Sequence, residues 1–509
     1  MSETRGLVIL DFGSQYTQLI ARRFRELGFF SELLPYNIDL DVLKEKKPLG
    51  IILSGGPSSV FGENSPQRDV KELLEMAPVL GICYGMQLLT HQLGGKVSPS
   101  KQREYGHAHV HWTEHFSNFE HSHSVWMSHG DVVETPPVGA EIIGRSEGGH
   151  PAALKGEKFW ALQFHPEVAH TDHGSDLLRS FAEDFCGMKK NWTTQSIKDH
   201  LLEDLKNQVG ESDHVLCALS GGVDSTVTAT LLTQALGGDR VHCVFVDTGL
   251  LRKNEFEDVL EMYKELGLNV KGVQAEERFL SGLKGLTDPE EKRKKIGHLF
   301  IDVFKDAIKD IGDCDWLAQG TLYPDVIESV SPRGQSVTIK SHHNVGGLPK
   351  DLGLKLVEPL KELFKDEVRR LGDELGLPHK FLWRHPFPGP GLAIRILGEV
   401  TKERLEILKE ADDIYIMELK GSGLYDQIWQ AFSVLLPVKT VGVQGDGRTY
   451  DAVLALRAVT SVDGMTANWF DFDHKFLSKL SNRITNEVQG VNRVVYDVTS
   501  KPPGTIEWE

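Results

Sequence analysis

Apolar positions along the chain gather into short runs that end in glycine-rich turns and lead into segments of helical spacing. The runs at 7–11, 50–53, 79–82 and 159–163 form one series, and those at 215–219, 241–246 and 316–318 form a second. Runs of this kind, bounded by turn signals and alternating with helical patterns, predict doubly wound sheets. A polar stretch at 187–194 separates the two series. The next boundary is Arg384-His385-Pro386-Phe387-Pro388-Gly389-Pro390-Gly391, whose prolines suit neither a helix interior nor a central strand. Beyond it the pattern predicts a helix over 402–419, β-rich runs at 440–444 and 450–459 around Gly445-Asp446-Gly447, a helix over 474–488 and a strand over 493–498. The expected fold class is therefore α/β: two doubly wound parallel-sheet domains, 1–190 and 191–384, followed by a smaller α+β domain, 385–509.

Composition narrows the function classes. A chain of 509 residues exceeds what one hydrophobic core organises, which suits about three domains. With 40% hydrophobic and 25% charged residues it has the composition of a soluble protein. Its apolar runs fall short of the ~18 residues a membrane span needs. The segment 1–6 leads straight into Leu7-Val8-Ile9-Leu10, which reads as a first strand rather than a signal-peptide core, so a cytoplasmic location is expected. A net charge of −17 means that a phosphate-bearing ligand must be held by local groups, and it disfavours bulk nucleic-acid binding. Cys83, Cys186, Cys217, Cys243 and Cys314 lie far apart, which indicates neither a disulfide framework nor a zinc ribbon.

Cys83 is the one in a chemical context. Gly81-Ile82-Cys83-Tyr84-Gly85 follows a buried-strand pattern and precedes a helical one at 86–93, as in a nucleophile elbow with sulfur in place of oxygen. The glycines relieve crowding at the turn, and the helix N-terminus favours a thiolate. A buried cysteine beside a tight turn is the alternative. A thiol nucleophile needs a base and a group to orient it, and Gln163-Phe164-His165-Pro166-Glu167 offers both. Ser54-Gly55-Gly56-Pro57 ends another strand; the N–H groups of Gly56 and Tyr84 are the candidate oxyanion donors.

These three signatures, in this order, resemble the class I, triad-type glutamine amidotransferases over about residues 7–185, together with Ser128-His129-Gly130-Asp131, which in that family supports the glutamine pocket. The resemblance implies hydrolysis of glutamine to glutamate and ammonia through a thioester on Cys83.

A second feature is Ser220-Gly221-Gly222-Val223-Asp224-Ser225-Thr226, set between a strand pattern and a helical pattern at 226–236. It is a phosphate-cradling loop without the lysine of a Walker A motif; backbone N–H groups, hydroxyls and the helix N-terminus hold the anion, and Asp224 is placed to contribute to magnesium. A plain Gly/Ser-rich turn is the alternative. The motif resembles the pyrophosphate loop of the N-type ATP pyrophosphatases, which transfer AMP, and Val246-Asp247-Thr248-Gly249 falls where that family places its adenosine.

From residue 192 to 509 the chain resembles the GMP synthetase family, whose members aminate xanthosine 5′-monophosphate (XMP). The resemblance rests on the stretches 317–329, 340–349 and 362–369 and on the tail Lys501-Pro502-Pro503-Gly504-Thr505-Ile506-Glu507-Trp508-Glu509. It implies glutamine, ATP and XMP as substrates, a magnesium requirement, no zinc, haem, flavin or nicotinamide, and a homodimer through the C-terminal domain. On chemical grounds Lys365 suits the departing pyrophosphate as a point charge. Lys340, His342, His343 and Asn344 are expected in a lid that keeps water from an adenylated intermediate. Arg293 and Lys501 are candidates for the XMP phosphate, with Ile506 and Glu507 near its base or ribose. The basic run 292–295 has an alternative reading as a solvated helix face; the alternating His107, His109 and His111, with His115, His121 and His123 beyond, suit one face of a strand, as surface decoration in preference to a metal site. The rival functions are another ATP-dependent glutamine amidotransferase and a catalytically inactive nucleotide-sensing paralogue.

Overall fold

A computed structural model describes residues 5–113, 122–168, 170–330, 353–444, 447–461 and 466–509. The chain divides into two compact units: one comprises the described residues up to Ile197 together with 326–330, and the other comprises Lys198–Asp325 and the described residues from 353 onward.

The first unit is built on a nine-stranded sheet in the order β2-β1-β3-β4-β9-β8-β7-β5-β6. Its parallel half consists of β1 (Leu7–Asp11), β2 (Ser31–Pro35), β3 (Gly50–Leu53), β4 (Val79–Ile82) and β9 (Phe159–Leu162). Every residue of β3, β4 and β9 is buried, which is why these strands read as unbroken apolar runs. Helices α1 (Thr17–Glu26) and α2 (Tyr84–Gln92) follow β1 and β4.

The other half is antiparallel: β5 (Lys96–Trp112), β6 (Ser122–Thr135), β7 (Glu141–Ser146) and β8 (Pro151–Lys155). The sequence pattern did not predict it. β6 alternates between buried and half-buried positions, as a strand with one wetter face does, and the pairing of β5 with β6 shifts register between Pro99 and Glu104. His107, His109 and His111 lie on the exposed face of β5, whereas His123 is buried and accepts a 3.0 Å hydrogen bond from Trp112 Nε1. His115 and His121 lie outside the described residues. Among the described residues no group of three or more His, Cys, Asp or Glu side chains is arranged to hold a metal.

The second unit holds an all-parallel sheet, β12-β11-β10-β13-β14, made of β10 (Val215–Leu219), β11 (Val241–Asp247), β12 (Val270–Gln274), β13 (Trp316–Ala318) and β14 (Lys355–Val357). Around it lie α3 (Val223–Leu236), α4 (Glu255–Glu265), α5 (Pro289–Ile308) and α6 (Lys365–Glu374). The C-terminal part adds α7 (Lys402–Gly421), the hairpin β15 (Gln430–Gln444) and β16 (Gly447–Thr460), β17 (Asn468–Trp469), α8 (His474–Glu487) and β18 (Val491–Tyr496). The hairpin extends well beyond the predicted 440–444 run. Pro437 obscures its first half, because proline donates no ladder hydrogen bond, and the strand absorbs it in a register shift between Leu435 and Lys439. Leu216 of β10, Val303 of α5, Tyr415 of α7, Leu454 of β16 and Ile484 of α8 belong to one apolar cluster, so the two sheets of this unit share a core. No helix among the described residues is long and apolar enough to cross a membrane.

Candidate active sites

In the first unit Cys83 occupies the turn between β4 and α2 at φ +53° and is 4% exposed. A non-glycine residue held in this region is strained, and such strain concentrates where surrounding packing forces it. The flanking glycines are required by close approach rather than by their own dihedrals. A Cβ on Gly81 would lie 2.7 Å from the Gly85 carbonyl oxygen, and one on Gly85 would lie 2.7 Å from Leu53 Cβ. The same packing ties the elbow to the end of β3, because Gly85 N–H donates to the Ser54 carbonyl at 3.2 Å. Gly55 and Gly56 therefore run directly over Cys83: a Cβ on Gly55 would meet Cys83 Cβ at 3.5 Å and His165 Cε1 at 3.1 Å, and one on Gly56 would meet the Tyr84 ring at 3.4 Å.

His165 lies just past β9, its backbone N–H bonded to the Trp126 carbonyl at 3.0 Å and its carbonyl accepting from Thr171 Oγ1 at 2.6 Å. Its Nδ1 is 2.7 Å from Glu167 Oε1, and both residues are buried. Burial by itself pushes the His165 imidazole down, but the Glu167 carboxylate and hydrogen bonds to Cys83 and Glu167 outweigh it and hold the ring well above the ordinary histidine value. The Glu167 carbonyl is itself held by Arg23 Nε of α1 at 2.9 Å, and the Tyr16 ring stands edge-on to His165 with centroids 5.0 Å apart.

β6 brings Ser128-His129-Gly130-Asp131 to the same place. Cys83 Sγ is 3.6 Å from the Ser128 carbonyl oxygen, and Gln87 of α2 donates to the Asp131 carbonyl at 3.0 Å. Buried His129 pairs with Glu104 of β5 at 3.1 Å. The hydrogen bond from His129 holds the Glu104 carboxyl below its ordinary value despite partial burial. Neither Glu104 nor Tyr16 stands in a local motif, and only the fold reveals them.

In the second unit Ser220-Gly221-Gly222 joins β10 to α3, with Gly221 at φ +73°. The loop is cross-braced: Ser225 Oγ donates to the Gly222 carbonyl at 3.1 Å, Thr226 Oγ1 donates to the same oxygen at 2.8 Å, and Gly222 N–H donates to Ser220 Oγ at 3.3 Å. Lys365, the first residue of α6, reaches Asp224 Oδ2 at 3.3 Å. Asp224 Oδ1 is buried without a hydrogen-bond partner among the described residues. At the end of β11 the Asp247 carboxylate caps the following turn by accepting from Gly249 N–H at 2.8 Å, and burial raises its carboxyl above the usual range.

The tail residues divide. Glu507 is engaged by Arg395 through Nη2 at 2.8 Å and Nε at 3.1 Å, and by Gln430 at 2.7 Å. Ile506 is buried among Phe432, Val434 and Ala455. Lys501 bridges Ala467 through its backbone. Arg293 donates to the Glu509 backbone oxygen at 2.6 Å. Its neighbour Lys292 corrects the solvated-face reading of the basic run at one position, while Lys294 and Lys295 are exposed as that reading expects. That side chain is fully buried on α5, with Nζ bonded to the Ala393 and Ile396 carbonyls at 3.3 and 2.7 Å and to Glu509 Oε2 at 2.6 Å. Burial lowers its ammonium below the ordinary lysine value.

Comparison with known proteins joins the two sites. "Glutamine amidotransferase class-I" matches residues 8–185, "NAD synthase" matches 193–296, and "GMP synthase C terminal domain" matches 417–508. A "GMP synthase [glutamine-hydrolyzing]" of Bdellovibrio bacteriovorus is 66% identical over 505 residues, covering 99% of this chain and 100% of that protein. The chain belongs to the glutamine-hydrolysing GMP synthase family. Relatives under the same name in Bartonella henselae, 55% identical with 100% of each chain covered, and Brachyspira hyodysenteriae, 53% identical with 99% of each covered, extend the likeness over the whole length.

Within this GMP synthase framework the structure assembles Cys83, His165, Glu167, Gly56 and Tyr84 in one place, and Ser220, Gly221, Gly222, Val223, Asp224, Ser225, Thr226 and Lys365 in another. Val246 lies near the end of β11, the strand beside β10. Lys340, His342, His343 and Asn344 lie outside the described residues. The sequence reading missed Arg384, Arg395 and Gln430, which stand in no motif of their own and meet Gly221 or Glu507 only through long-range contacts.

Proposed function

We propose that the chain makes GMP by aminating XMP, with ammonia released from glutamine at Cys83 and with ATP consumed at the loop 220–226. The Cys83 thiolate adds to the carboxamide carbon of glutamine, and the charge on the carbonyl oxygen faces the N–H groups of Gly56 and Tyr84. His165, kept as an imidazolium by Glu167, gives its proton to the departing ammonia and then takes one from the water that opens the thioester, releasing glutamate.

In the second reaction the O2 oxygen of XMP attacks the α-phosphorus of ATP and pyrophosphate leaves. Ammonia then adds to C2 and AMP departs. An unactivated oxygen is a poor leaving group, which is why ATP is required. The loop N–H groups and Lys365 hold the phosphates and the departing pyrophosphate. Magnesium fits this site: a hard cation takes carboxylate oxygens, and Asp224 has a buried Oδ1 without a hydrogen-bond partner among the described residues, beside the loop 220–226. When bound, the ion would offset the charge of the phosphate oxygens.

XMP is assigned to the C-terminal part near Arg293, Lys501, Ile506 and Glu507. Val438, Val441, Val443 and Tyr450, exposed along the β15–β16 hairpin, support a homodimer through this part. A cytoplasmic location fits five cysteines that are all free.

The observation that carries the proposal is the presence in one chain of a buried Cys–His–Glu set and an adenylation-type loop with its lysine. The test follows the ultraviolet absorbance of XMP with ATP and magnesium and with either glutamine or ammonium. Wild type should use both donors, and Cys83→Ala only ammonium. Failure of wild type to consume XMP with either donor would refute the substrate assignment.

A further inference from the structure

Behind the phosphate loop stands an arginine that belongs to neither set of motifs. Arg384 Nη1 donates to the Gly221 carbonyl at 2.9 Å, and its Nη2 is bonded to the Glu255 carboxylate. Glu255 opens α4 and is 8% exposed; its Oε2 also accepts from the backbone N–H of Arg252 at 2.9 Å. Burial opposes the charge on Glu255, but Arg384 and Arg252 outweigh it and hold its carboxyl below the ordinary value. The guanidinium is thus aimed by a fixed, charged partner and delivered to a single backbone oxygen.

That oxygen matters because of peptide geometry. In a trans peptide the C=O of one residue and the N–H of the next point in opposite directions. Holding the Gly221 oxygen outward turns the Gly222 N–H inward, where it meets Ser220 Oγ at 3.3 Å. A Gly-Gly peptide has no Cβ on either side to resist rotation of its plane, and Gly221 already sits at φ +73°. A flip would present a carbonyl oxygen, an acceptor, to an anion that needs donors.

We propose that Arg384, oriented by Glu255, is a positioning residue that locks the Gly221–Gly222 peptide plane so that the Gly222 N–H faces the phosphates of ATP. This rests on the reading of 220–226 as the ATP loop. Once the plane is released, only a fraction of the molecules is competent to bind ATP. Such a population shift weakens apparent affinity in proportion while leaving the bound complex as active as before.

The experiment is exchange of labelled pyrophosphate into ATP by the full chain, with XMP and magnesium and without a nitrogen donor. Arg384→Gln should raise the KM for ATP by about 10- to 100-fold while kcat at saturating ATP and the KM for XMP change by less than about threefold. Arg384→Lys, which keeps the charge but not the two-armed contact, should fall between Arg384→Gln and wild type. Glu255→Gln, which leaves the arginine in place without its charged partner, should shift the KM for ATP in the same direction and serves if Arg384→Gln does not fold. An unchanged KM for ATP in the folded variants would overturn the proposal, as would a parallel loss in kcat and in affinity for both substrates. Absence of exchange in wild type would instead overturn the assignment of the loop to ATP.

Discussion

Replacing Glu167 by glutamine keeps the shape of the side chain that orients His165 and removes only its charge. Two unit charges 2.7 Å apart attract by about 6 kcal/mol at an effective dielectric of ~20, and breaking a buried pair by removing one partner costs about 3–5 kcal/mol. The amide still offers a neutral hydrogen bond worth about 1 kcal/mol. The net loss of imidazolium stabilisation is then about 2–4 kcal/mol, or about 30- to 900-fold in kcat/KM for glutamine. The sign of the pH effect follows as well. In wild type the Glu167 charge, together with Cys83, overcomes burial and keeps His165 protonated above the ordinary histidine range; in Glu167→Gln that charge is gone and the downward push of burial is opposed chiefly by Cys83. The alkaline limb of the glutaminase profile should therefore move to lower pH. The assay is glutamate release across pH, with ammonium-supported consumption of XMP as the control. A kcat/KM within twofold of wild type with an unmoved alkaline limb would refute the role assigned to Glu167, and equal loss with ammonium would make that role one of folding.

Two further substitutions probe packing and charge. Gly85→Ala would place a methyl group 2.7 Å from Leu53 Cβ, so it should destabilise the first unit by about 1–3 kcal/mol, read as a lowered calorimetric transition, and displace the elbow enough to abolish glutamine use; a transition unchanged in temperature would show that the turn has slack. Lys365→Ala removes a half-exposed cation 3.3 Å from Asp224. Because a charged hydrogen bond is worth about 1.5–3 kcal/mol, pyrophosphate exchange should slow by about 10- to 150-fold with little change in thermal stability, and wild-type exchange rates would remove the lysine from the pyrophosphate site.

How much of this was legible in the sequence depended on whether the signal was local. Parallel strands such as β3, β4 and β10 were readable because burial on both faces leaves unbroken apolar runs, whereas β2 and β12, largely half-buried, were not. Cys83 and the loop 220–226 were readable because a tight turn forces glycines to adjacent positions. The antiparallel half of the first sheet was not, since the half-wet face of β6 and the interruption at Pro99 dilute the strand pattern, as Pro437 does in β15 of the second unit. Nor did anything local mark Lys292 as buried, because the carbonyls that receive it belong to residues 393 and 396, about a hundred positions away.

The sequence by itself thus marked many of the parallel strands and the candidate nucleophile, base and phosphate loop, each of them written in a motif of a few residues. Only the tertiary structure decided what surrounds them: Glu104 behind His129, Arg384 behind Gly221, and Arg395 on Glu507. Each of these is a charged side chain whose partner lies far along the chain. Burial makes such a charge too costly to leave unpaired, yet the partner is set by how strands and helices pack, and no local pattern records it.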